Sequence, residues 1–162
     1  MSMIFELFII SDETAREVIA DPSGIRELLA SLDGSDSGLS LEKSWHGLHF
    51  LLTRDPMQGD PPLNFLLDGG ATVGDEDIGY GPARILDPAF VAEVNAALTG
   101  FTESEFEARL DPAAMTAAQI YPDIWHEPRD ALKQEYAGYL RELKHHVHRA
   151  AESGQALLVA LR

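Results

Sequence analysis

Two almost uninterrupted apolar runs stand at opposite ends of this chain. Met3-Ile4-Phe5-Glu6-Leu7-Phe8-Ile9-Ile10 comes first, and Ala156-Leu157-Leu158-Val159-Ala160-Leu161 comes last. Their length and their aromatic, branched composition favour buried strands. Successive side chains of a strand point to opposite faces. A strand that is apolar on both faces therefore belongs in the interior of a sheet, not at its edge. The 145 residues from Ser11 to Gln155 have to supply what surrounds that sheet.

Much of that interval reads as helix, because its start signals are strong. Ser11 can cap a helix with Asp12 and Glu13 at its positive end. Asp21-Pro22 marks a second start, followed by Ile25, Leu28, Leu29 and Leu32 at helical spacing. Asp87-Pro88 opens a helix with Phe90, Val91, Val94 and Leu98 on its apolar side, and Gly100 is expected to end it. Thr102 with Glu105 has the capping-box form, and Asp111-Pro112 starts a short helix through Met115. From Glu127 or Pro128 a long helix runs to about Glu152, with Leu132, Tyr136, Tyr139, Leu140, Leu143, Val147 and Ala150 as one stripe and Gly154 as its stop.

The middle of the chain is less regular. The segment Leu39 to Leu52 contains Ser44-Trp45-His46-Gly47-Leu48-His49-Phe50-Leu51-Leu52; if helical, Trp45, Leu48, Leu52 and either His49 or Phe50 share a face. Leu63 to Leu67 suggests one or two helical turns. Asp68 to Pro82 is a glycine-rich, acidic surface loop that leads into a strand at Ala83 to Leu86. It lacks the lysine and the spacing of a phosphate loop, and Asp75, Glu76 and Asp77 would repel a phosphate. Pro122 keeps Tyr121 out of helical conformation in the turn Ile120 to Trp125. The expected fold is α/β, with α+β as the alternative: one compact domain over residues 1–162. A small mixed sheet would include both terminal strands, covered by several helices with a long one near the C-terminus.

Several motifs together resemble the YfbM-like family of small bacterial proteins of unknown function. They are Leu41 to Phe50 around Trp45 and His49, Gly79-Tyr80-Gly81-Pro82-Ala83-Arg84, Ile120-Tyr121-Pro122 with Trp125, and the closing long helix plus apolar strand. The resemblance spans nearly the whole chain and implies a single domain of layered α and β elements. It brings no reaction and no catalytic residues with it.

Chemistry-bearing residues are few. No cysteine is present, which removes disulfides, thiolate nucleophiles and cysteine-ligated metals, and suits a reducing cytoplasm. The N-terminal run lacks a basic region and is broken by Glu6, so neither a targeting signal nor a membrane span is expected. His46 with His49, and His145, His146 and His148, have ligand-like spacing without the H-E-x-x-H pattern; no metal and no cofactor is expected. No serine sits in nucleophile-elbow surroundings, and no catalytic residue is named.

Three functional readings remain, one of them a stand-alone housekeeping fold whose partner is not visibly encoded. The net charge of −15 disfavours nucleic acid and anionic membranes and favours a basic protein partner, as for an acidic inhibitor or immunity-type protein. Asp75 to Asp77 and Glu103, Glu105 and Glu107 are the expected patches. The alternative is a small-molecule binder or enzyme whose pocket is lined by Trp45, His49, Tyr80, Tyr121 and Trp125, a set suited to a flat or cationic ligand.

Overall fold

The two terminal runs pair with each other. In the computed structural model, which describes residues 2–162, the elements run in chain order as follows. β1 (Phe5–Ile10), α1 (Asp12–Ala20), a 3-10 turn (Pro22–Gly24), α2 (Ile25–Leu32) and β2 (Gly38–Glu42) form the first part. α3 (Trp45–Thr53), β3 (Ala71–Thr72) and β4 (Arg84–Leu86) follow. α4 (Pro88–Gly100), α5 (Glu103–Arg109), α6 (Pro112–Ala117), α7 (Arg129–Glu152) and β5 (Ala156–Leu161) complete the chain. The sheet order is β2-β1-β5-β4-β3. β1 and β5 are antiparallel neighbours in register from Phe5 opposite Leu161 to Ile10 opposite Ala156, and each has a further strand on its other side.

The alternation along these strands explains why they are apolar throughout. Phe5, Leu7, Ile9, Leu157, Val159 and Leu86 belong to one core cluster. It contains Trp45, Leu48 and Leu52 of α3, Val91, Val94 and Leu98 of α4, Phe106 of α5, and Leu132, Tyr136, Leu143 and Val147 of α7. Phe8, Ile10, Ala156, Leu158, Ala160 and Ile85 belong to a second cluster with Ala15 and Val18 of α1 and Ile25 and Leu29 of α2. The sheet is thus sandwiched between α1–α2 on one face and the remaining long helices on the other. Each fully buried Leu, Ile or Phe contributes about 1.5–3 kcal/mol of transfer free energy. Glu6, the one charge in the first run, sits at the end of the ladder and bonds Arg162, which also pairs with Asp33 at 2.5 Å.

The capping signals operate as expected. Ser11, Asp87 and Asp111 side chains accept N–H groups of the first turns of α1, α4 and α6, and Thr102 and Glu105 close a reciprocal capping box on α5. Gly154 ends α7 in the left-handed region at φ 63°. Three details differ from the sequence reading. Every strand pair is antiparallel, so the sheet is not mixed; side-chain periodicity reports burial and carries no strand direction. Leu39 to Leu52 is an edge strand followed by a helix, with Glu42 in the left-handed region (φ 50°) where the chain changes direction. Leu63 to Leu67 is a set of turns closed by Leu67 and Asp68 N–H on the Asn64 carbonyl. Gly100 is the last residue of α4, as expected, and Phe101 follows it as the C-cap. Among the described residues no helix is long and apolar enough to cross a membrane.

Candidate functional site

α3 is buried nearly all round: Trp45, His46, Gly47, Leu48, His49, Leu51 and Leu52 are all in the interior. A helix in that position has to satisfy its polar side chains from within the protein. The Trp45 indole N–H donates to the Met3 carbonyl at 3.2 Å. His46 braces two loops. Its Nδ1 accepts the Tyr121 N–H at 2.9 Å, which leaves the proton on Nε2 to donate to the Pro56 carbonyl at 2.7 Å. Its ring stacks on Trp45 with centroids 5.1 Å apart. Burial lowers the His46 pKa, with the Pro56 carbonyl opposing.

His49 is different. It is 0% exposed, and neither ring nitrogen has a hydrogen-bond partner among the described residues. Burial lowers its pKa; the Gln58 backbone opposes this without a bond of good geometry, His46 adds to it, and Asp55 opposes it. The imidazole is enclosed, and burial favours its neutral form.

The expected aromatic set divides. Trp45 and Tyr121 meet at 6.0 Å between centroids, and the Tyr121 hydroxyl accepts the Met3 N–H at 3.3 Å. Trp125 donates its indole N–H to the Ile120 carbonyl at 2.7 Å and packs 5.3 Å from Tyr136. Tyr121 and Trp125 line a surface recess of about 410 Å³ with Thr116 and Asp123. Their polar tips point inward, to backbone. Tyr80 is elsewhere: it is 38% exposed, its N–H binds the Leu161 carbonyl at 3.0 Å, and it lines a cavity of about 160 Å³ beside Arg84 and Val159. The five residues do not share one pocket, because the loop that carries Tyr80 is held to the end of β5 while Trp45 and His49 are enclosed in α3.

A groove that sequence reasoning missed lies where β2, the approach to α7 and α7 itself meet. Glu42, Lys43, Ser44, Pro122, Ile124, Glu127, Glu135, Tyr136 and Tyr139 enclose about 350 Å³. Tyr136 is 1% exposed, and its hydroxyl makes no hydrogen bond among the described residues. Burial raises its pKa first, and Glu135, Tyr139 and Glu127 raise it further. Tyr139, 6.3 Å away, is raised by burial and then by Glu135, Glu42 and Glu142. The spacing of Tyr136 and Tyr139 was a signal, but it read as core stripe; nothing local links them to Glu42.

Several cations are used inside the molecule. Arg84 donates to the carbonyls of Gly69, Phe65 and Leu66 at 2.8–2.9 Å. Arg109 donates to Leu51 and Leu52 at the end of α3, Arg129 to Glu107 and Leu110 at the end of α5, and Lys144 to Phe101 at the end of α4. The acidic clusters expected as patches are partly engaged as well. Asp77 accepts the N–H groups of Gly79 and Gly81, Glu76 pairs with Arg26, Glu105 belongs to its capping box, and Glu107 pairs with Lys133. Of the histidines on α7, His145 and His148 are exposed, whereas His146 is buried and bonds the Leu7 carbonyl at 3.0 Å. Among the described residues no group of three or more His, Asp or Glu is placed to hold a metal ion.

Comparison with known proteins finds kinship without an activity. A family model described as a domain of unknown function, DUF1877, matches residues 1–160. The crystal structure of YfbM from Escherichia coli, described as a protein of unknown function, superposes with a TM-score of 0.75 at 22% identity, covering 99% of this chain and 100% of that one. At that identity the likeness speaks for the fold alone. No curated protein matches the chain.

Proposed function

The chain belongs to the DUF1877 family, and from that premise and its charge layout we propose that it is a binding module for a basic protein partner. The observation that supports this is how the charges are distributed. Of 27 Asp and Glu side chains, only Glu6, Asp12, Asp33, Glu76 and Glu107 have a Lys or Arg partner within 4 Å among the described residues, and Glu152 meets the imidazole of His148. Five of the 12 Lys and Arg side chains (Arg26, Arg84, Arg109, Arg129 and Lys144) meanwhile donate to backbone carbonyls. The fold thus diverts positive charge to cap helix and turn ends and leaves most exterior carboxylates without a Lys or Arg partner among the described residues. Such a surface accelerates and orients encounter with a positive patch.

The histidine and aromatic residues support this reading by what they lack. Trp45, Tyr121 and Trp125 have spent their polar groups on backbone, and His49 is sealed. The test is native mass spectrometry on the tagged chain taken from its host at low salt, followed by rebinding of the purified partner. A retained basic protein is expected, with affinity falling about tenfold or more between ~50 and ~300 mM salt. Retention that salt does not weaken, or a retained small molecule in place of a protein, would count against the reading.

A further inference from the structure

Resting on that reading, the geometry points to the groove between Glu42, Glu127, Glu135, Tyr136 and Tyr139 as the seat for an arginine side chain of the partner. Three separate elements each bring one carboxylate: Glu42 ends β2, Glu127 precedes α7 and Glu135 lies on α7. Among the described residues none of the three is ion-paired. Lys43, the one cation of the lining, makes no ion pair with them.

Carboxylates alone would be an ordinary acidic surface. The second observation is Tyr136. This phenol is 1% exposed and lines the groove, its hydroxyl is hydrogen-bonded to no other described residue, and that oxygen is not among the sealed, unpartnered atoms of the interior. That oxygen can accept from a cationic N–H. The half-buried Tyr139 ring supplies an aromatic surface, and Ile124 and Pro122 supply apolar contacts for an aliphatic stem. A guanidinium matches this set better than an ammonium. It is planar, stacks on aromatic rings, and offers five N–H donors to acceptors arranged around it. A metal ion fits less well, since the carboxylates do not converge as a ligand set.

The experiment is an NMR titration at low salt with a glycine-serine peptide carrying one arginine, compared with the same peptide carrying citrulline or lysine. The arginine peptide is expected to shift Tyr136 and Tyr139 resonances, and to bind about tenfold tighter than the citrulline peptide. Glu135→Gln and Glu42→Gln should each weaken it several-fold. Tyr136→Phe should weaken it about threefold without lowering Tm, because that hydroxyl holds nothing inside the protein. Glu13→Gln, on α1 across the sheet, should leave it unchanged. Equal binding of the arginine and citrulline peptides, or equal loss in Glu13→Gln and Glu135→Gln, overturns the groove assignment while leaving a diffuse acidic docking surface intact. Equal binding of the lysine peptide overturns arginine as the occupant. Normal arginine binding in a protein that retains no basic partner overturns the binding-module reading instead.

Discussion

Gly47 lies directly against the ring of Tyr136: a Cβ at that position would stand 2.6 Å from Tyr136 Cε1 and 3.0 Å from Trp125 Cη2. This close approach lets α3 and α7 share the aromatic wall behind the acidic groove. In an exposed helix interior, glycine to alanine stabilises by about 1 kcal/mol. Here the methyl group has to displace two rings that are themselves packed, and overpacking of this kind costs about 1–3 kcal/mol. Gly47→Ala is therefore expected to lower the urea midpoint. A raised midpoint would mean that the rings yield freely.

His146 is expected to contribute to the acid limit of the fold. Burial lowers its pKa to about 4, against the opposing Leu7 carbonyl, with Arg149 and His145 lowering it further. Between the ordinary value of 6.5 and about 4, the unfolded chain takes up a proton that the folded chain refuses. Stability contributed by the neutral ring is thus present above pH 6.5 and is lost as pH falls towards 4, by about 3 kcal/mol for this residue. His46 and His49 are shifted in the same direction. Urea unfolding at pH 7 and at pH 4.5 should show the loss, and His146→Gln should flatten it. An unchanged pH slope in His146→Gln would assign the acid limit to other groups.

The parts of this fold that were legible are those decided locally or by burial. Ser11, Asp87, Thr102 and Asp111 cap helices through bonds to residues two or three positions away, so their neighbours in sequence suffice to read them. β1 and β5 were legible because burial on both faces leaves no polar alternation. β2 and β3 were not: Leu41 is the one fully buried side chain of β2, and β3 is two exposed residues that exist as strand only by pairing with β4. The groove was illegible for a similar reason. Glu42 is brought to Glu127 and Glu135 by the packing of β2 against α7, with most of the chain between them in sequence. Trp45, Tyr121 and Trp125 did cluster, yet their polar atoms turn to Met3 and Ile120, a choice fixed by loop geometry that residue identity does not carry.

His46 and His49 lie one helical turn apart and should respond oppositely to replacement by leucine. His46→Leu abandons the Tyr121 N–H and the Pro56 carbonyl, two groups with no other partner in place, and should cost about 2–4 kcal/mol. His49→Leu removes two nitrogens that bond nothing in a site of similar volume, and should change stability by less than about 1 kcal/mol or raise it. Chemical denaturation of the two variants decides. A larger loss in His49→Leu would show that an internal water or a ligand holds that ring.

Arg84 should prove harder to replace than its position near the surface suggests. Its guanidinium binds three carbonyls of the turn from Phe65 to Gly69 at once, and burial lowers its pKa to about 10, with Asp68 opposing, so it remains charged at neutral pH. Arg84→Ala leaves those carbonyls unmatched in a partly buried site, at a cost of about 3 kcal/mol. Arg84→Lys keeps the charge but loses the planar fork, since an ammonium at one point cannot reach Gly69 and Phe65 together. Lysine is therefore expected to recover less than half of the loss. Denaturation midpoints for the two variants test this directly: full recovery by lysine would mean that the charge near Asp68, and not the forked geometry, is what the turn requires.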